Sequence, residues 1–114
     1  MSDETFELLV GPGTKTGTTV ITVNGKIVVE NIAAVRKALQ EVSTDMLVWD
    51  LSGVTYVDST GIGALVNAHT SCTNRGRKMA IAGAQERVQR LMKLTMVDKV
   101  LRLYPDKVTA EAGL

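Results

Sequence analysis

At 114 residues, with 45% hydrophobic and 22% charged side chains, the chain has the size of one domain and an ordinary globular composition, which excludes intrinsic disorder. The net charge of +1 leaves no footprint for a nucleic-acid backbone, and Cys72 and His69, each alone of its kind, exclude an internal disulfide and a Cys/His zinc site within one chain. No apolar run approaches the ~20 residues that cross a bilayer, and Met1-Ser2-Asp3-Glu4 lacks the basic start of a secretory signal, so a cytoplasmic protein without direct membrane contact is expected.

Taken in chain order, Thr5 to Val10 reads as a short strand, ended by Gly11-Pro12-Gly13. Thr18 to Val23 is a β-branched second strand. Asn24-Gly25 then predicts a tight turn, with Lys26 to Val29 returning antiparallel as the other arm of a hairpin. Asn31 is placed as a helix N-cap because Ile32, Val35, Leu39 and Val42 recur behind it at helical spacing. Met46 to Leu51 reads as a central strand apolar on both faces, with Asp50 a polar intrusion. After Asp58-Ser59 the period turns helical: Ile62, Leu65, Val66, His69 and Cys72 form one stripe, stopped by Arg75-Gly76.

Lys78 to Ala82 is the next strand, and Gly83-Ala84 leads into a helix with Val88, Leu91, Met92 and Thr95 inward. Val100 to Leu103 is a last strand ended by Pro105, and the tail to Leu114 has room for one or two helical turns. The pattern predicts one α/β domain over residues 1–114: a mixed sheet with an opening hairpin and helices packed mostly on one side. Charge is uneven, with 4 basic and 7 acidic residues in 1–57 against 9 and 5 in 58–114. Arg75, Arg77, Lys78, Arg87, Arg90 and Lys93 read as solvated outer faces.

The polar trio Asp58-Ser59-Thr60, followed by Gly61 and Gly63, is the most unusual chemistry in the chain. A serine on a strand-to-helix turn suggests a hydrolase nucleophile, but Val57 stands where the elbow needs glycine. The one histidine, ten residues along the same helix, lies roughly 15 Å away, when a base must reach within about 3 Å. Phosphate cradles of the types G-x-G-x-x-G and G-x-x-x-x-G-K-[ST] are absent. Helix capping by Asp58 or Ser59 accounts for one polar residue, and Gly61 and Gly63, each costing about 1 kcal/mol against alanine, read as an open approach for another molecule. No catalytic or metal-ligating set emerges.

The run from Val48 to Leu65, with D-L-S-G-V followed by V-D-S-T-G-I-G-A-L, resembles the STAS domain of anti-sigma factor antagonists, small bacterial switch proteins also called anti-anti-sigma factors. Asn24-Gly25, Arg75-Gly76, Ile81-Ala82-Gly83 and Leu91 to Leu103 have counterparts in that family. The resemblance implies a non-enzymatic partner switch in the cytoplasm, phosphorylated on Ser59 by an anti-sigma factor that is a serine kinase and reset by a PP2C-type phosphatase. Docking would fall on Asp58, Ser59, Thr60, Gly61, Ile62, Gly63 and Asn67, extended along the helix by Ala64, Ala68 and Ser71. The other reading on the same fold is a scaffold or sensory subunit of a larger assembly, with no working phospho-switch. Two departures from the family stand out. Val28 occupies the place of an acid near the phosphoacceptor, and Leu94-Thr95-Met96-Val97 lacks the glycine that follows the third helix.

Overall fold

The structure is a computed structural model that describes residues 5–114, so the reading of Met1 to Glu4 lies outside the described residues. Its five strands are β1 (Glu7–Pro12), β2 (Thr18–Ile27), β3 (Met46–Val57), β4 (Lys78–Ala82) and β5 (Leu103–Tyr104). They form one sheet in chain order, β1 antiparallel to β2 and the remaining neighbours parallel. Helices α1 (Ile32–Gln40), α2 (Ser59–Asn74) and α3 (Glu86–Leu94) connect the parallel strands, and α4 (Lys107–Gly113) follows β5. Right-handed crossovers are the rule between parallel strands, and three that step the same way across a sheet put their helices on one face.

Strand alternation then divides the core. Ile21, Val23, Leu47, Trp49, Leu51, Met79 and Ile81 share one buried cluster with the inner residues of α1, α2 and α3. The alternate residues Val20, Val48, Ala80 and Ala82 meet Ala110 of α4 on the opposite face. Trp49 is fully buried, its indole N–H without an acceptor among the described residues. The expected mixed sheet with helices mostly on one side is therefore what forms, with α4 the exception.

The predicted hairpin at Asn24-Gly25 is corrected. β2 runs unbroken through both residues, and the antiparallel turn lies instead between β1 and β2. Pairing with β3 along nearly the whole of β2 outweighs the local turn preference, and Asn24-Gly25 is absorbed by register shifts between Thr22 and Asn24 and between Gly25 and Lys26. Gly25 has a φ of 97°, and a Cβ there would lie 3.1 Å from the Thr5 carbonyl oxygen, so the turn residue serves as a bulge beneath the incoming chain. Asn31 also departs from expectation: its side chain caps nothing and donates from Nδ2 to the Lys26 carbonyl at 2.7 Å, because a 3₁₀ turn, Val29–Asn31, precedes α1.

On α3, Val88 and Met92 are buried and Leu91 half-buried, while Thr95 is exposed and returns its hydroxyl to the Leu91 carbonyl at 2.9 Å. Met96 follows with a φ of 63°, the one positive φ outside glycine among the described residues. It holds the left-handed position where the resembling family places glycine.

The far-face helix α4 is latched by Glu111, 4% exposed, whose carboxylate accepts from the N–H of Lys15 at 2.8 Å and from the N–H and hydroxyl of Thr14 at 3.3 and 3.2 Å. Burial pushes its carboxyl up, but those hydrogen bonds and the Lys107 ammonium outweigh burial and hold it below its ordinary value of 4.5. Asp50 adds a second tie, its carboxylate 3.9 Å from the Lys107 ammonium.

Met96→Gly is expected to raise unfolding free energy by about 0.5–1 kcal/mol, the left-handed strain relieved less the entropy glycine adds to the unfolded chain, measured by urea denaturation. Glu111→Ala is expected to lower it by about 1–3 kcal/mol at pH 7 by leaving the Thr14 and Lys15 donors unpaired. Because the folded carboxyl titrates below the unfolded one, that stabilisation is complete above about pH 4.5 and is lost as pH falls through the folded value. The gap between wild type and variant should close over that acid range; a gap that is constant down to pH 2 overturns the assignment.

Candidate functional site

Asp58 alone separates β3 from α2, and it does so in extended conformation with all its hydrogen-bonding groups engaged. Its N–H donates to the Ile27 carbonyl at 3.2 Å, and its own carbonyl accepts from Ile62 at 2.9 Å, opening the helix. Oδ1 accepts from the Gly61 N–H at 2.8 Å as the N-cap, and Oδ2 accepts from the Val29 N–H at 3.1 Å. One carboxylate thus ties the start of α2 to the turn that follows β2.

Ser59 is consequently spared the capping role. It is the first residue of α2, exposed, and its hydroxyl makes no hydrogen bond among the described residues. The N–H groups of Ser59 and Thr60, which have no acceptor four residues back, are likewise open, so the first turn offers a nucleophilic oxygen beside free donors at the positive end of a helix. His69 lies on the same helix, half-buried with Nδ1 enclosed and unpartnered among the described residues, and ten residues along it serves as no base for Ser59.

The remaining predicted contact residues separate by helical phase. Gly63 and Asn67 are exposed and Thr60 is half-buried, but Gly61, Ile62, Ala64 and Ala68 are buried against the sheet and α1, and Ser71 is half-buried. The expectation that Gly61 and Gly63 together keep an approach open is corrected for Gly61. A Cβ there would run into the Ile27 carbonyl oxygen and lie 2.7 Å from Val57 Cγ1, so this glycine is required by close packing of the helix on β2 and β3. Gly63 faces open space, with nothing within 4 Å of its would-be Cβ.

Val28 and Val29 stand beside this turn, since the Val29 N–H reaches Asp58; Val29 is 56% exposed. On the other side, a hollow of about 350 Å³ is lined by Tyr56, Arg87, Val88, Arg90, Leu91 and Leu94. Sequence spacing did not find it, because it forms where β3 outruns β4. β4 pairs only with Met46 to Asp50, and the bare β3 edge beyond is covered from α3, where Gln85 Nε2 donates to the Ser52 carbonyl at 3.0 Å and the Arg87 guanidinium to the Thr55 carbonyl at 3.5 Å. Exposed Tyr56 and Leu94 were the available signal, two large apolar side chains at outward positions.

The turn thus presents an exposed hydroxyl at the first position of α2. Among the described residues no His, Cys, Asp or Glu side chains are grouped to hold a metal ion, and no helix is long and apolar enough to cross a membrane.

An antiparallel opening strand, four mutually parallel strands with three helices on one face and a D-S-T-G-I-G turn at the head of the central helix define a small α/β fold. The STAS domain family matches residues 13–110, and the chain belongs to it. Within that family it is similar to the anti-sigma-B factor antagonist of Listeria monocytogenes, 33% identical over 54 residues that cover 47% of each chain. The match spans about half the length of the curated relatives. The crystal structure of an anti-sigma factor antagonist from Mycobacterium paratuberculosis is 25% identical with a TM-score of 0.86, covering 98% of this chain and 96% of that one. The Bacillus antagonist SpoIIAA in its unphosphorylated form shares the fold at 12% identity, TM-score 0.72, over 95% of both chains.

The two glycines give opposite expectations. Gly61→Ala should destabilise the fold by about 1–3 kcal/mol through overpacking, whereas Gly63→Ala should stabilise it by up to about 1 kcal/mol, both read by thermal or urea unfolding. Equal effects at the two positions would contradict the packing described.

Proposed function

We propose that this chain, as a single STAS domain, is an anti-sigma factor antagonist that works by partner switching and is not itself an enzyme. Unphosphorylated, it binds an anti-sigma factor that is a serine kinase and so frees the sigma factor. Phosphorylation of Ser59 ends that binding, and a PP2C-type phosphatase restores it. The observation that carries this reading is the Ser59 hydroxyl, exposed and unbonded at the first position of α2 while Asp58 does the capping.

The physical asymmetry supports a switch. A phosphate on Ser59 adds a charge of about −1.5 to −2 beside free N–H groups at a helix N-terminus, where the fold tolerates it. The surroundings that a partner would cover expose apolar Val29, Tyr56 and Leu94, with Arg87 and Arg90 beside the last two. A dianion buried there must be desolvated, and a loss of about one to three kcal/mol lowers affinity roughly 5- to 150-fold. Val28, where the resembling family carries an acid, leaves the partner's contact at that point apolar in this chain.

Mixing the protein with candidate anti-sigma kinases and ATP, then mapping phosphate by mass spectrometry, should place it on Ser59. Ser59→Ala should bind as wild type and never be released, and Ser59→Glu should bind roughly 5- to 150-fold more weakly. Phosphate on another residue, or undiminished binding by Ser59→Glu, overturns the switch. Tight binding without any phosphorylation favours the scaffold reading on the same surface.

A further inference from the structure

The two edges of the sheet are unequal. β5 closes one side with two half-buried residues, Leu103 and Tyr104, and Pro105 follows at once, so that edge is too short to extend. β1 forms the other edge with six residues, and β2 is its one strand neighbour among the described residues.

The outward groups of β1 follow from its ladder. The Gly13 N–H donates to the Thr18 carbonyl at 2.8 Å, one step beyond the pair of Pro12 and Thr19, and the register runs from there without a shift to Glu7 and Asn24. Main-chain groups alternate in direction along an antiparallel strand. Those of Gly11, Leu9 and Glu7 therefore face β2, and those of Leu8, Val10 and Pro12 face away from the sheet. Pro12, which has no N–H, falls on an outward position where no ladder bond is lost. Beyond the ladder with β2, no hydrogen bond among the described residues engages the main chain of Leu8 or Val10.

Sheet edges are ordinarily blunted by lysines, bulges or inward-pointing charges. From Leu8 to Gly11, β1 has none of these: its sequence is uncharged, its pairing regular, and Leu9 and Val10 are 65% and 47% exposed. Leu9, opposite Thr22, lies on the α4 face, where a hollow of about 420 Å³ separates it from Val108. Val10, opposite Ile21, lies on the face of the other three helices. Its exposure shows that they leave this edge open.

We propose that β1 is a self-association edge, on which a second copy of this chain adds its own β1 antiparallel across a two-fold axis to make one continuous sheet. With the axis at Leu9, Leu8 pairs with Val10 of the second copy, and Val10 with its Leu8. Each of these pairs exchanges both main-chain bonds, because all four residues point their N–H and carbonyl groups outward. Leu9 then meets the second copy's Leu9 at a non-hydrogen-bonded position, where side chains lie closest. Glu7 falls opposite Gly11, so no like charges meet. Moving the axis by one residue sets Leu9 against Glu7 or Gly11 and loses that apolar match. A single pair of edge strands buries less than the ~1,200 Å² of a stable interface, so the association is weak and concentration-dependent.

Sedimentation velocity of the intact chain from about 10 μM to 1 mM should show a monomer–dimer equilibrium. Leu9→Lys, at an exposed position, should weaken it by about tenfold or more by setting two ammonium groups face to face, with urea unfolding at low protein concentration unchanged. Leu9→Glu should act alike, and an equimolar mixture of the two variants should associate more tightly than either alone. Amide exchange followed by NMR reads the register: the N–H groups of Leu8 and Val10 should slow as concentration rises, while that of Leu9, already bonded to β2, should not change. A chain that stays monomeric at about 1 mM overturns the proposal. So does a dimer that Leu9→Lys leaves intact, a mixture no tighter than its components, or exchange at Leu8 and Val10 that ignores concentration.

Discussion

The Asp58 carboxylate is the constraint from which the functional end of the molecule follows. With one oxygen on Gly61 N–H and the other on Val29 N–H, it fixes the first turn of α2 against the turn that ends β2. The two strands converge there as well, since Asp58 N–H closes on the Ile27 carbonyl. That same carbonyl is the atom a Gly61 side chain would strike, so the clamp and the glycine are two parts of one close approach. A helix brought this near to the ends of two parallel strands needs a residue without a Cβ where it crosses them, and an acid to satisfy the donors that the crossing exposes.

This arrangement separates two tasks that D-S-T leaves together in the sequence. Either Asp58 or Ser59 can cap a helix on residue type alone, and which of them does so depends on the chain direction leaving β3. Once Asp58 is extended and paired, Ser59 falls inside the helix with its hydroxyl outward. A capping serine would have its oxygen occupied by a backbone donor, and phosphorylating it would break the cap. An uncommitted serine carries a phosphate without removing anything the fold uses.

Much of the fold is legible in local pattern because burial imposes it. The alternation in β2 and β4, the apolar run of β3 and the stripes of α2 and α3 all have the period of the element they form. Asn24-Gly25 misleads for a definite reason: the strongest two-residue hairpin signal in the chain lies on a strand whose partner, β3, is distant in sequence and long enough to hold it straight. His69 and Val66 fall on the edge of the α2 stripe, half-buried rather than inside, as expected for a helix that also faces solvent. The candidate site is legible at Asp58 and Ser59 because those residues carry the chemistry themselves. Gly61 reads wrongly because an empty side-chain position looks the same in sequence whether it is open to solvent or pressed against a carbonyl. The hollow between β3 and α3 comes from side chains brought together by unequal strand lengths, and no local period encodes it.

The position of α2 gives the functional reading its physical economy. Its inner face, from Gly61 through Ala64, Leu65 and Ala68 to Cys72, is made of small and medium residues that let it lie close on the sheet, and burial raises the Cys72 thiol above its ordinary value against the pull of Arg77 and Arg75. A charge added at its exposed first residue touches none of these buried contacts. On the proposed reading, a phosphate on Ser59 acts at the surface, where a partner covering exposed Val29, Tyr56 and Leu94 must desolvate it. Under the proposed switch, a rigid scaffold with a local charge change requires no second conformation of the domain. Under the proposed switch, the energy that discriminates the two states is the desolvation of one group at one interface.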